Sequence, residues 1–328
     1  MGFLVVRPGL LTTIQDTGRM NVGKFGVASG GAMDPYSLRV ANLLLGNPQS
    51  APALEITLIG PELVAQRDYW ISICGGDLSP TIDGEEIPLW RPVQILKGQS
   101  LRFGPCVSGF RGYLAVNGGF SVPSVLKGTG TDLRGKMGGF QGRALGKGDW
   151  LPVVNVEQMP RCSFRLGKEW IPHWQESPKI RVIHGAEFSS FTIQSQQDFF
   201  TDVFQVTPRS DRMGYRLQAR DGSPLLRHLQ EDVISSGVVT GTIQVPPDGQ
   251  PIVLMADCQT VGGYPRIGVV ATVDLPKMAQ CKPGDYVTFE EITLEEAQDL
   301  YIHQERSLRI LGMYLEREWR KPSCTQLT

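Results

Sequence analysis

Short apolar runs separated by turn residues recur along the chain: Leu54 to Leu58, Tyr69 to Cys74, Val93 to Leu96, Leu101 to Phe103, Gly112 to Val116, Ile180 to Ile183, Ile252 to Met255 and Tyr286 to Phe289. Runs of this length, bounded by glycine and proline, predict strands. At this density they predict barrels or sandwiches, because a parallel sheet would need helical stretches between them. Two segments carry helical periodicity instead. In the first, Asp34 and Pro35 supply an N-cap and a first-turn proline, Leu38, Ala41, Leu44 and Leu45 form an apolar stripe, and Gly46 can close the helix in a left-handed conformation. In the second, Thr293 and Glu296 form a capping-box pair before Leu294, Ala297, Leu300, Tyr301, Leu308 and Leu311, the spacing of an amphipathic helix that Gly312 could break. The expected fold class is mainly β, with few short helices and a helical C-terminal tail.

A chain of 328 residues lies near the upper limit for one core, so two domains are expected. Two weak internal echoes point the same way. Leu96 to Phe103 resembles Cys281 to Phe289, each a basic turn leading into an alternating strand, and Tyr113 to Phe120 resembles Val253 to Tyr264 in following an apolar strand with Gly-Gly and an aromatic. Duplication and chance similarity of strand-turn segments would both produce such echoes. Pro160, Pro172 and Pro178 punctuate a stretch without periodicity that reads as a linker. The expected division is a β domain over residues 1–155, a linker over 156–178, a second β domain over 179–290 and the helical tail over 291–328.

Composition narrows the function classes. Lys and Arg total 32 against 33 Asp and Glu, a balance that argues against a nucleic-acid binder or a membrane-surface protein relying on a large basic field. The opening MGFLVVRPGL has neither a basic cluster before a long apolar core nor a small-residue cleavage site, so a soluble cytoplasmic protein is expected. The six cysteines, at 74, 106, 162, 258, 281 and 324, form no CxxC pair and read as reduced thiols. His173, His184, His228 and His303 are too scattered for a metal cage built from sequence neighbours, and no metal-ligating residues are expected.

The chain has no GxxxxGK[ST] loop, no GxGxxG after a strand, no GxSxG elbow and no HExxH helix. It has instead a set of Gly-Gly pairs, three of them followed by Phe120, Phe140 or Tyr264, which either allow close approach of backbone to a ligand or make tight turns beside core aromatics. Polar residues gather in four loops: Thr12 to Arg19, Thr207 to Arg216, Asp257 to Arg266, and Thr129 to Arg143. The first could orient and charge-stabilise a polar substrate, or Asp16 could simply bond the backbone of its own turn. The second carries Arg209, Arg212 and Arg216, suited to phosphate or carboxylate or to a solvated loop. The third follows an apolar strand and so projects from a rim, and its Cys258 lacks a neighbouring histidine that would make it a nucleophile. The fourth mixes Asp132, Arg134, Arg143 and glycines and could equally face a partner.

At these loops the sequence resembles one family, that of the Kip-inhibitor antagonist, also described as the C-type subunit of 5-oxoprolinase, related to allophanate hydrolase subunit 2 and to the carboxyltransferase domain of urea carboxylase. The residues carrying the resemblance are PGLLTTIQDTGR (8–19), GAMDPYSLRVANLLLGN (31–47), LEITL (54–58), YLAVNGG (113–119), TDLRGKMGGFQGR (131–143), SDRMGYRL (210–217), GTIQVPPDG (241–249) and GGYP (262–265). The resemblance implies two cyclophilin-like β-barrel domains. It also implies a protein that acts with a Kip-inhibitor-type subunit (the B-type 5-oxoprolinase component) and a LamB/YcsF-type subunit (the A-type component) to open 5-oxoproline to glutamate with ATP and Mg²⁺.

A lactam carbonyl is a poor electrophile, and phosphorylating its oxygen would let water attack; such a step needs cationic and N–H donors and little covalent chemistry from the protein. On that logic Arg212, Arg19, Gln259 and Tyr264 are expected to line a shared pocket, with Asp16 or Asp34 orienting them or holding Mg²⁺. Arg212, Asp16 and Arg19 are the expected catalytic residues. Gln15, Asp34, Tyr215, Gln259, Gly262, Gly263, Tyr264 and Arg266 are the expected substrate contacts. The chain departs from the family at Ser29, displaced by one position, which argues against it as a nucleophile, and at Val261, where a threonine is common. Two other functions share the resemblance: a non-catalytic antagonist that binds the Kip-inhibitor protein in sporulation control, and a biotin-dependent carboxyltransferase acting on urea or a similar amide.

Overall fold

The computed structural model describes residues 2–156, 165–229 and 233–319. Cys162, Cys324, Pro160, part of the expected linker (157–164) and the end of the tail (320–328) lie outside the described residues. The chain divides into two compact units: Met1–Gly18, Asp34–His173 and Glu305–Thr328 form one, and Arg19–Met33 and Trp174–Gln304 the other, each taken over its described residues.

In the first unit two antiparallel sheets enclose the core. One has six strands in the order Trp150–Pro152, Gly2–Arg7, Glu62–Ala65, Ser100–Phe103, Pro80–Ile82, Glu85–Glu86, and the other has five, Leu11–Gln15, Ala53–Thr57, Ser108–Val116, Tyr69–Asp77, Pro92–Ile95. The expected first β domain is thus seen as two sheets. Phe3, Ile14, Leu54, Ile56, Leu63, Ile71, Leu101, Leu114 and Phe120 are buried in one cluster between them. Strand residues alternate faces, and the apolar members of each run supply this cluster.

Helix α1 (Pro35–Leu43) starts where its caps indicate. Asp34 accepts from the Ser37 backbone N–H (2.9 Å) and from Ser37 Oγ (2.6 Å), and Gly46 has φ of 68° after the helix ends.

The second unit is a closed barrel of seven strands in the order Lys179–His184, Arg266–Val270, Thr242–Gln244, Ile252–Leu254, Gly214–Ala219, Phe204–Val206, Tyr286–Glu291. It closes through a parallel pairing of Lys179–Val182 with Thr288–Glu291, which leaves no free sheet edge. Ile180, Val182, Phe199, Phe204, Tyr215, Ile243, Val253 and Phe289 fill it. Two short helices belong here, α2 (Ile193–Thr201), capped by Thr192, and α3 (Leu275–Ala279).

Helix α4 (Leu294–Trp319) opens with the expected capping box: Thr293 N–H donates to Glu296 Oε2 (2.8 Å) and Glu296 N–H to Thr293 Oγ1 (3.1 Å). Gly312 does not break it. A Cβ there would lie 3.2 Å from Leu43 Cδ2, so this glycine is a packing residue inside a continuous helix.

Ion pairs at two carboxylates fasten the barrel. Asp274, fully buried, accepts from Arg181 Nε (2.8 Å) and Nη2 (2.6 Å) and pairs with Lys277 (2.9 Å), while Arg266 grips Glu187 through Nε (2.7 Å) and Nη2. Burial alone would raise the Asp274 carboxyl, but hydrogen bonds from Arg181 and Lys277 outweigh it and hold it below the ordinary range. Hydrogen bonds from Arg266 likewise hold Glu187 low. Both groups therefore stabilise the fold fully above the unfolded carboxylate value, roughly pH 4. That contribution is lost as pH falls through their lower folded values. Thermal unfolding followed from neutral to roughly pH 2.5 is expected to show the midpoint falling on this acid limb. Asp274→Asn should flatten the fall.

Candidate functional site

The residues singled out in the sequence fall in both units: Gln15, Asp16 and Asp34 in the first, and Arg19, Arg212, Tyr215, Gln259, Gly262, Gly263, Tyr264 and Arg266 in the second.

In the barrel unit, register decides which loops meet. Gly214 pairs with Leu254 and Tyr215 with Val253, so the residues before one strand lie beside those after the other. The ladder continues irregularly, with Met255 N–H donating to Met213 O and Asp257 N–H to Arg212 O (both 2.9 Å). The side chains of Arg212 and Asp257 then meet as a two-pronged ion pair: Nε donates to Oδ2 and Nη2 to Oδ1, each at 2.8 Å. Nη2 also donates to the Gly31 carbonyl at 2.7 Å, and Arg212 is 5% exposed.

Gly30 N–H donates to Ala256 O, and a Cβ on Gly30 would fall 3.2 Å from Arg19 Nη1 and 3.7 Å from Asp257 Oδ1, at a φ of 63°. The Gly30-Gly31 turn is glycine because both residues hold left-handed backbone, φ 63° and 87°, and a side chain at Gly30 would also press on the Arg19 guanidinium. Arg19 is itself buried. Arg212 and Asp257 brace this end of the barrel. Asp257 is a member of this brace that the sequence did not single out; its only signal there is its place directly after an apolar strand.

Arg209 and Arg216, by contrast, are exposed, so the three arginines of that loop do not converge. Tyr215 is not at the rim either. It is 1% exposed in the barrel core, and its hydroxyl donates to the Cys281 carbonyl at 3.2 Å, because alternation along its strand turns it inward. Arg266 is engaged by Glu187, as above. Burial pushes the Cys258 thiol up, which leaves it protonated and unsuited to nucleophilic attack.

Gln259, Gly262, Gly263 and Tyr264 do form one neighbourhood. Gln244, 2% exposed on its strand, donates through Nε2 to the Tyr264 carbonyl (3.3 Å) and accepts from Gln259 Nε2 (3.4 Å). A Cβ on Gly262 would lie 2.5 Å from Gln244 Nε2, so any side chain there would have to displace this amide. Tyr264 is 47% exposed beside a cavity of about 190 Å³.

In the first unit, Asp16 accepts from Gly18 N–H (2.8 Å) and from both the N–H and Oγ1 of Thr129, and Gln15 donates to Thr13 Oγ1 (3.0 Å) and Thr131 O (3.1 Å). These bonds clip the loop after Leu11–Gln15 to residues 129–131. Asp34 caps α1 with both carboxylate oxygens. Its N–H donates to Tyr113 Oη, which donates to Glu55 Oε2 (both 2.8 Å), and Arg111 Nε lies 3.9 Å from the other Glu55 oxygen. Glu55, Arg111, Tyr113 and Asp34 are all buried. Burial, with Glu55 and Asp34 nearby, raises the Tyr113 hydroxyl well above its ordinary range and keeps it a donor.

Magnesium does not fit the two carboxylates expected to hold it, since Asp16 and Asp34 are both occupied by backbone and hydroxyl donors. Among the described residues no group of three His, Cys, Asp or Glu could hold a metal ion. No helix among them is long and apolar enough to cross a membrane.

Known proteins share this architecture. The chain is 36% identical to the C-type subunit of 5-oxoprolinase from Escherichia coli, over 96% of its own length and 99% of that protein's. It is 38% identical to the protein of the same name from Haemophilus influenzae, over 88% and 90% of the two lengths. The crystal structure of K. lactis urea amidolyase superposes with a TM-score of 0.88 at 31% identity, covering 94% of this chain and 20% of that one. The family described as the carboxyltransferase domain, subdomain A and B, matches residues 25–291. Sequence, fold and extent agree, and the chain belongs to this carboxyltransferase-domain family, on the branch that includes the C-type 5-oxoprolinase subunits.

Proposed function

We propose that the chain is one component of an ATP-dependent 5-oxoprolinase complex that converts 5-oxoproline to glutamate in the cytoplasm, assembled with a Kip-inhibitor-type and a LamB/YcsF-type subunit. The observation that carries this reading is the extent of the match. The chain matches the C-type 5-oxoprolinase subunit of Escherichia coli nearly end to end, whereas it spans 18% of the urea amidolyase of Saccharomyces cerevisiae that it also resembles.

Within the complex this chain's part is to hold and orient the lactam at the barrel rim, where the Gln244–Gln259 amides fix the loop that carries Tyr264. ATP and Mg²⁺ are assigned to a partner protein, and no step at this chain's residues runs through them. Binding energy used to position the ring is the contribution such a component makes to rate.

Mixing the chain with the two other components should yield glutamate from 5-oxoproline. The same chain supplied with a biotin carboxylase and a biotinylated carrier should leave urea unchanged. Carboxylated urea without any glutamate would replace this reading with carboxyl transfer.

A further inference from the structure

The cavity beside Tyr264 is built from residues far apart in the sequence: Phe191, Arg227, Pro246, Pro247, Tyr264 and Pro265 all line it. Phe191 is fully buried and forms its floor, with the prolines as rigid apolar walls. Phe191 and Arg227 are joined as a β-bridge, and Arg227 Nε donates to Ser190 Oγ at 3.2 Å, so the guanidinium is anchored along one edge. Tyr264 is anchored through its carbonyl by Gln244. Arg227 is the one charged side chain among the described lining residues.

At about 190 Å³ the cavity is smaller than the roughly 300 Å³ at which drug-sized sites begin. Its chemistry suits a compact molecule with a small ring and one carboxylate. The ring would lie against proline and tyrosine, and the carboxylate would meet a guanidinium whose planar donors suit it better than an ammonium would.

We infer that this cavity is a binding site for a small cyclic carboxylate of the 5-oxoproline class, with Arg227 as the anion contact and Tyr264 as the ring contact. This assignment rests on the proposed function for the identity of the ligand. It goes further in placing the site within the barrel unit, at a set of residues that includes Phe191 and Arg227, neither of which the sequence singles out.

The test uses the full chain and L-5-oxoproline as the probe, with ligand-observed NMR for affinity, and repeats the measurement with 2-pyrrolidone, which keeps the ring but lacks the carboxylate. L-5-oxoproline should bind and 2-pyrrolidone should not. Arg227→Gln should weaken binding roughly ten- to hundredfold, the loss expected for one charge-assisted contact. Tyr264→Ala should weaken it about tenfold. Exposed Arg209→Gln should change nothing, and each variant's thermal midpoint reports whether it folds.

No binding by the folded wild-type chain, or unchanged affinity in folded Arg227→Gln and Tyr264→Ala, overturns the assignment. Activity of the assembled complex separates the two proposals. Glutamate formation with unaltered KM in both variants would sink the cavity and leave the function standing. Carboxylate-dependent binding by the chain, with no glutamate from the complete complex, would sink the function and leave the cavity.

Discussion

Arg212→Ala is expected to destabilise the chain by about 3–5 kcal/mol, because it removes the two-pronged partner of the nearly buried Asp257 carboxylate and releases the Gly31 carbonyl. For a unit of this size that is a fall of roughly 10 °C in the unfolding midpoint. Arg212→Lys keeps the charge but cannot make the two-pronged contact, so it should fall between wild type and alanine. Replacing both partners together, Arg212→Met with Asp257→Leu, should cost less than the sum of the two single changes, since the pair is then removed as a unit. Thermal and urea unfolding of these variants beside the wild type measures this coupling. Loss of 5-oxoproline turnover in the double variant at near-native stability would show that the brace also positions the loops for binding. If Arg212→Ala left stability untouched, the bracing role would fail.

Glu55→Ala should have an effect of similar size in the first unit. It removes the acceptor of the Tyr113 hydroxyl and the carboxylate facing Arg111, both in surroundings that water does not reach. The expected loss is about 3–5 kcal/mol. Glu55→Gln retains an acceptor for Tyr113 while removing the charge, and should lose less. Because Tyr113 also accepts from the Asp34 N–H at the start of α1, hydrogen exchange at that helix start should quicken in Glu55→Ala before it does elsewhere in the unit. Unchanged protection there would mean that the network does not tie the helix to the sheet.

Much of the fold was legible because local signals coincide with local structure. Each of the eight apolar runs falls on a strand, Asp34-Pro35 starts α1, and Thr293 with Glu296 caps α4. Gly312 misled because intrinsic propensity marks glycine as a helix breaker, while close packing on Leu43 is a tertiary reason to keep one inside a helix.

The site was less legible. Arg212 stood out as a cation in a loop, but its partner lies 45 positions on and is delivered by the register of two barrel strands. Tyr215 looked available because the same loop carries it, yet strand alternation turns it into the core. Glu55 reads in sequence as one polar member of an alternating strand, and nothing near it indicates that Arg111 and Tyr113 will enclose it. The cavity is invisible for the same reason: Phe191, Arg227, Pro246 and Tyr264 become neighbours only when the barrel closes.

The most direct test of the central claim, that this chain is an obligatory part of a 5-oxoprolinase, is a titration. With the other two components, ATP, Mg²⁺ and 5-oxoproline held constant, the rate of glutamate formation is measured as this chain is added. The rate should begin at background, rise in proportion to the chain and saturate at a fixed molar ratio. Full glutamate formation before any of the chain is added would contradict the account.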